Sequence, residues 1–204
     1  MKIICVGRNY VEHARELNND IPDEPVLFLK PDTALFKGDQ VDFYLPDLAS
    51  EIHYEVELVI RISKMGKHIA QEFASRYYDQ VALGIDFTAR DLQSRLKEKG
   101  LPWEKAKAFD YSAYLGRMLP RQSLPPMEDL NFSLEVNGQR VQEGSPRQMI
   151  FPVNALISQI SRYFTLKTGD LIYTGTPAGV GAVQAGDALK LYINGSLNGQ
   201  VRVK

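Results

Sequence analysis

The sequence is poor in the residues that usually announce a site. Its 204 residues include one cysteine, three histidines and one tryptophan. A single cysteine excludes an intrachain disulfide framework and a cysteine-based zinc site. Cys5 lies inside Ile3-Ile4-Cys5-Val6, where it reads as a small buried hydrophobe and not as a nucleophile. Charge of one sign is also lacking: 24 Lys and Arg face 25 Asp and Glu, a net charge of −1. With no basic stripe, capture of nucleic acid or of an anionic membrane surface has no support. Long apolar runs are missing as well. The N-terminal one is about five residues, too short for a signal-peptide core, and none approaches the roughly 18 of a membrane span. No Arg- and Ser-rich leader precedes Met1-Lys2, so a soluble, cytoplasmic protein is expected. With no repeat, low-complexity tract or linker, residues 1–204 are expected to form a single domain.

What is present is globular: 44% hydrophobic and 24% charged residues, enough for a core without staples. Short strands are expected at 3–6, 26–29, 55–62, 81–87, 171–174, 188–193 and 200–203. Asn137-Gly138 between residues 132–136 and 139–142 is a hairpin signature. Tyr10, Ala14 and Leu17 have helical spacing behind Asn9 as N-cap. Helices are also expected at 69–78, 90–99 (stopped by Gly100 and Pro102) and 153–164. Strands dominate without regular βαβ alternation, which predicts a β-rich α+β fold.

Glu55-Val56-Glu57 is the strongest local anomaly. On a strand, residues i and i+2 project from one face, so two carboxylates repel each other there. A solvated face answers that repulsion; so does a divalent cation held by oxygen ligands, which suit Mg2+, Mn2+ or Ca2+. Asp86 lies in the apolar run Val81-Ala82-Leu83-Gly84-Ile85-Asp86-Phe87. A buried carboxylate needs a salt bridge or a metal. Three carboxylates on one cation would leave about three coordination positions for water or a chelating substrate.

Other candidates are weaker individually. His13 and Glu16 are helical neighbours, either an exposed charged pair or a dyad that activates water. His53 and His68 lack such a context, and Lys107 on its own reads as a surface lysine. Thr174-Gly175-Thr176-Pro177-Ala178-Gly179-Val180-Gly181 follows a strand but fits neither a Walker loop nor a dinucleotide fingerprint. It is either a tight turn or a set of backbone N–H and hydroxyl groups for an anion.

In order along the chain, Val6-Gly7-Arg8-Asn9-Tyr10 with His13 and Glu16, Phe28-Leu29-Lys30-Pro31, Glu55-Val56-Glu57, Asp86-Phe87-Thr88-Ala89-Arg90-Asp91 with Gln93, Gly100-Leu101-Pro102-Trp103 with Lys107, and Gly169-Asp170 with Thr174 to Gly181 resemble the fumarylacetoacetate hydrolase superfamily. The nearest likeness is to its single-domain acylpyruvate hydrolases and oxaloacetate decarboxylases. The resemblance implies a mixed β-sandwich or β-roll with short flanking helices, usually a homodimer. It implies Glu55, Glu57 and Asp86 as ligands of Mg2+ or Mn2+ (Ca2+ could stand in). His13 and Glu16 would be the dyad on a mobile lid, residues 8–20. Lys107 would polarise the substrate, and Arg8, Arg90, Gln93 and Thr176 would contact it. Asp32 and Tyr54 depart from the family pattern, where a small hydroxyl residue and histidine are usual, and could alter the pocket rim.

The reaction expected from this is C–C hydrolysis of a 3-acylpyruvate, such as acetylpyruvate or fumarylpyruvate, to pyruvate and a carboxylic acid. Oxaloacetate decarboxylation would share its pyruvate enolate, stabilised by the cation and Lys107. Three carboxylates, a dication and Lys107 sum to zero charge before substrate enters. The alternatives are an isomerase or hydratase of the 2-hydroxyhepta-2,4-diene-1,7-dioate type and a non-catalytic 2-oxo acid binding module.

Overall fold

Strand Val56–Ile62 is buried on both faces except at Arg61. Val56, Leu58, Ile60 and Ile62 enter one apolar cluster, and Val59 on the other side enters a second with Ile3, Cys5, Ala82 and Tyr173. Burial on both faces is the condition of a central strand, and β-branched and leucine side chains suit it. The computed structural model describes residues 1–17 and 20–204. The expected lid therefore extends partly outside the described residues, at 18 and 19.

An eight-stranded sheet runs in the order Val26–Lys30, Ile3–Gly7, Leu171–Tyr173, Val56–Ile62, Tyr78–Asp86, Ala113–Leu115, Leu35–Lys37, with Leu119–Pro120 also against Tyr78–Asp86. Most pairs are antiparallel, but Ile3–Gly7 with Leu171–Tyr173 and Leu35–Lys37 with Ala113–Leu115 are parallel. A five-stranded sheet orders Gln139–Gly144, Phe132–Val136, Ala188–Ile193, Ser196–Val203, Gln40–Phe43. A small third sheet joins Gly181–Ala182, Ile52–Tyr54 and Thr88–Ala89. The helices are short: α1 Val11–Glu16, α2 Arg90–Glu98, α3 Glu104–Lys107 and α4 Val153–Tyr163. The fold is strand-rich, mixed α+β. Among the described residues no helix is long and apolar enough to cross a membrane.

One expectation of local structure fails and another is met in part. Residues 69–78 are helical over a shorter stretch and with tighter turns than an α-helix. They form a 3-10 segment, Gln71–Arg76, followed directly by strand Tyr78–Asp86. Ile69 donates its N–H to Ser161 Oγ at 2.8 Å, and i to i+3 bonds such as Phe73 N–H to Ala70 O close tight turns. Asn9 is not the N-cap of α1; Tyr10 is, without a side-chain cap bond. The Asn9 amide instead donates to Phe151 O and Thr174 O and accepts from the Phe151 N–H, joining three distant segments.

Candidate active site

The acidic cluster forms where the central hairpin of the large sheet ends. Pairing of Val56–Ile62 with Tyr78–Asp86 sets Glu57 opposite Gly84, and the Asp86 N–H donates to Glu55 O at 2.9 Å. This register brings Asp86 beside the two glutamates. One oxygen from each of Glu55, Glu57 and Asp86 lies within 4.8 Å of the others, and all three residues are buried. The solvated reading of Glu55 and Glu57 is therefore excluded.

Three cations meet this cluster. The Lys107 ammonium, buried at the end of α3, donates to Glu55 Oε2 at 2.7 Å, Asp86 Oδ2 at 2.8 Å and Thr88 Oγ1 at 2.6 Å. The Arg90 guanidinium bonds Glu55 Oε1 and, at 2.7 Å, Gln93 Oε1. Lys30 Nζ lies 2.8 Å from Asp86 Oδ1, but its hydrogen bonds go to Lys107 O, Ser112 O and Ser112 Oγ. Asp86 Oδ1 is thus a buried acceptor with no hydrogen bond. On Glu57, Oε2 accepts the Gly175 N–H at 2.7 Å.

Burial tends to raise the Glu55 carboxyl, but Lys107, then Arg90 and His13, hold it below the ordinary carboxylate range. Glu57 goes the other way: burial, then Asp86 and Glu55, push it well above that range. Burial tends to lower Lys107, and Asp86 and Glu55 more than reverse this. A dication among the three carboxylates would relieve the repulsion on Glu57. Three hard oxygen donors in a dry site fit Mg2+ or Mn2+.

The dyad residues are neighbours on α1, with His13 Nδ1 3.3 Å from Glu16 Oε2. Burial lowers the His13 pKa, so its ring favours the neutral form, against the opposing pull of Glu55 and Glu16. Glu16 Oε1 also accepts the Gly179 N–H at 3.0 Å, which fastens α1 to the glycine-rich loop. The loop's N–H groups at Gly175 and Gly179 are therefore committed to protein carboxylates and not free for an external anion.

One cavity is lined by Arg8, His13, Glu55, Glu57, Asp86, Arg90, Gln93, Lys107 and Thr176. Glu16 stands behind His13. The Thr176 hydroxyl is engaged already, donating to Val56 O at 2.8 Å and accepting from Gln142 Nε2 at 2.9 Å. Lys107 has likewise spent its three donors on protein groups. In this arrangement it compensates the charge of Glu55 and Asp86. Asp32 is exposed and Tyr54 packs against Gly181; neither lines the cavity.

Several members of this site are given no role by the sequence, although Phe28, Lys30 and Trp103 lie in the segments that carry the family resemblance. Lys30 ends an apolar strand, and its partners are 77 and 82 residues away. Gln142 accepts from the Val56 N–H and donates to Thr176 Oγ1 and Pro177 O, tying the glutamate strand to the glycine loop. Lys97, Trp103 and Phe28 complete the wall. The zero charge sum expected from Lys107 alone is corrected by Lys30 and Arg90: with a dication bound, the centre carries two excess positive charges.

A family profile, Fumarylacetoacetate (FAA) hydrolase C-terminal, matches residues 2–202. The chain is 41% identical over 202 residues to the mitochondrial oxaloacetate tautomerase of Mus musculus, covering 99% of this chain and 91% of that one. It is 42% identical over 194 residues to the mitochondrial oxaloacetate decarboxylase of Dictyostelium discoideum, covering 95% and 89%. The crystal structure of fumarylpyruvate hydrolase from Pseudomonas aeruginosa in complex with Mn2+ and pyruvate superposes with a TM-score of 0.94 at 40% identity, covering 100% of this chain and 89% of that one. The chain belongs to the fumarylacetoacetate hydrolase family.

Proposed function

We propose that this chain is a divalent-metal-dependent enzyme that forms the enol or enolate of a short 2-oxo acid, with oxaloacetate as substrate. It would interconvert the keto and enol forms and release CO2 to give pyruvate. The observation that carries this reading is the buried Glu55, Glu57 and Asp86 cradle, balanced in charge by Lys30, Lys107 and Arg90 before any dication enters. Relatives that act on oxaloacetate support the choice of substrate.

Glu55, Glu57 and Asp86 would hold Mg2+ or Mn2+. When bound, the dication supplies a Lewis acid that draws electrons from the 2-oxo group. The chain's own residues do the rest. Lys107 and Lys30 balance the charge of Glu55 and Asp86 in a dry site. Arg90 and Gln93, fixed to each other at 2.7 Å, form a polar edge for the substrate's oxygens. His13 shares Nδ1 with Glu16, which leaves Nε2 to take a proton from the carbon beside the 2-oxo group and to return it. In decarboxylation the C3–C4 bond breaks, its electron pair stays as the enolate, and no base is required.

A second reading is hydrolysis of a 3-acylpyruvate, which the His13–Glu16 dyad favours because that pair can also deprotonate water. Turnover of oxaloacetate, fumarylpyruvate and acetylpyruvate with Mn2+ or Mg2+, and after chelation, tests both readings. Glu57→Gln is expected to abolish metal-dependent turnover. Full activity of that variant in metal-free buffer would refute the scheme. In the same reading the protein is a homodimer, which sedimentation would check, and it works on small acids of the cytoplasm.

A further inference from the structure

Helix α2 carries more positive charge toward the cavity than the acidic cluster accounts for. Arg90, Gln93 and Lys97 are spaced i, i+3 and i+7, so they share one face of that helix. All three line the cavity. Arg90 is paired with Glu55, but Lys97 has no carboxylate partner and no hydrogen bond among the described residues. Its ammonium lies 5.4 Å from the centroid of the Trp103 ring. An aromatic face steadies a cation without neutralising it. Helical side chains lean toward the helix N-terminus, so Lys97 leans toward Arg90 and the acidic centre, from a Cα about 10 Å further along the axis.

A second cation, also without an ion-pair partner among the described residues, lies close by. Arg8 lines the same cavity, and its Nε is buried without a partner. It holds φ at +58°, a left-handed conformation costly for an arginine. Burial first, then Arg8, Arg90 and Lys107, push the Lys97 pKa down to about 8. Like charges crowded on one wall cost free energy that an anion would recover.

We infer that Lys97, seated on Trp103 and helped by Arg8, forms a subsite for the second carboxylate of a dianionic 2-oxo acid, remote from the end held at the acidic centre. Lys97 is then a specificity-determining residue: it separates oxaloacetate and fumarylpyruvate from acids whose far end is neutral. The two excess positive charges of the metal-loaded centre point to the same class of ligand. This inference rests on the proposed reading of the cavity as a 2-oxo acid site.

The test uses the Mn2+-loaded full chain and its Lys97→Met and Lys97→Arg variants. Calorimetry compares 2-oxoglutarate, a dianion, with 2-oxopentanoate, a monoanion of equal chain length. The wild type is expected to bind the dianion about tenfold more tightly, as a partly desolvated charge pair allows. Lys97→Met should erase that preference and Lys97→Arg should restore most of it. In steady-state assays Lys97→Met should raise KM for oxaloacetate about tenfold while kcat changes far less, the pattern of a binding contact shared by ground and transition states. An absent preference in the wild type, or one that survives in Lys97→Met, overturns the subsite. If the wild type binds both acids but turns over no oxaloacetate, the proposed activity fails while the binding comparison still decides the role of Lys97.

Discussion

Gly175 donates its N–H to Glu57 Oε2 at 2.7 Å, across 118 residues of sequence. That bond fixes the one carboxylate of the cluster that no cation touches directly. Gly175 can make it because φ is +98° there, a conformation open to glycine, and because a Cβ would come within 2.7 Å of the Asn9 Cβ. Gly175→Ala is expected to cost about 2–3 kcal/mol of stability through backbone strain. It should also weaken Mn2+ binding, since the loop that orients Glu57 must shift. Thermal unfolding and a Mn2+ titration check the two effects separately.

Glu16 bridges His13 and the Gly179 N–H, so its removal frees both the imidazole and the glycine loop. Glu16→Ala is expected to lower acylpyruvate hydrolysis about 10²-fold, the scale of general-base catalysis. Decarboxylation needs no attacking water and should fall far less. Equal losses in the two rates would show that the dyad acts only by closing the site.

How much of this was legible in the sequence follows from the range of the interactions. Local signals read correctly. Asn137 and Gly138 take φ of 53° and 82°, as the hairpin between Phe132–Val136 and Gln139–Gly144 requires. Gly100, at φ 61°, ends α2 where expected. The glutamate pair was visible because strand geometry alone places i and i+2 on one side. What was hidden depends on partners brought in by topology. Asn9 looked like a cap, but its acceptors are 142 and 165 residues away. Lys30 and Lys97 look like ordinary lysines until the sheet closes over the first and Trp103 comes beneath the second. Gln71–Arg76 is helical as expected but short and 3-10, because tertiary packing overrides a pattern too short to stand alone.

Lys30 is fully enclosed, with Asp86 Oδ1 at 2.8 Å. Lys30→Met keeps most of the side-chain volume and removes the charge. In chelator the variant should lose about 3–5 kcal/mol, the scale of breaking a buried ion pair, here one of the two that hold Asp86. Saturating Mn2+ should shrink that loss, because the dication takes over the neutralisation of Asp86. Urea unfolding with and without Mn2+ measures both numbers. A loss unaffected by metal would place Asp86 outside the metal's reach.

Asp170 is a structural carboxylate away from the cavity, and its pH dependence has a definite sign. Its Oδ1 accepts the Lys2 N–H at 2.8 Å and its Oδ2 accepts the Lys167 N–H at 2.8 Å, with Lys2 Nζ 2.6 Å from Oδ2. Burial would raise its pKa, but the Lys2 ammonium and the N–H groups of Lys2 and Lys167 hold it below the usual aspartate value of 3.8. The unfolded chain therefore takes up the proton first as pH falls, so the stabilisation is complete above that value and is lost as pH drops through the lower folded pKa. In Asp170→Asn, if the amide oxygen keeps the Lys2 N–H, the NH2 group faces the Lys167 N–H, donor against donor. The variant should be less stable by about 1–3 kcal/mol at neutral pH. Urea midpoints followed from pH 7 into acid should converge once wild-type Asp170 is protonated in the folded state, and a gap that stayed constant with pH would assign the effect to packing instead of charge.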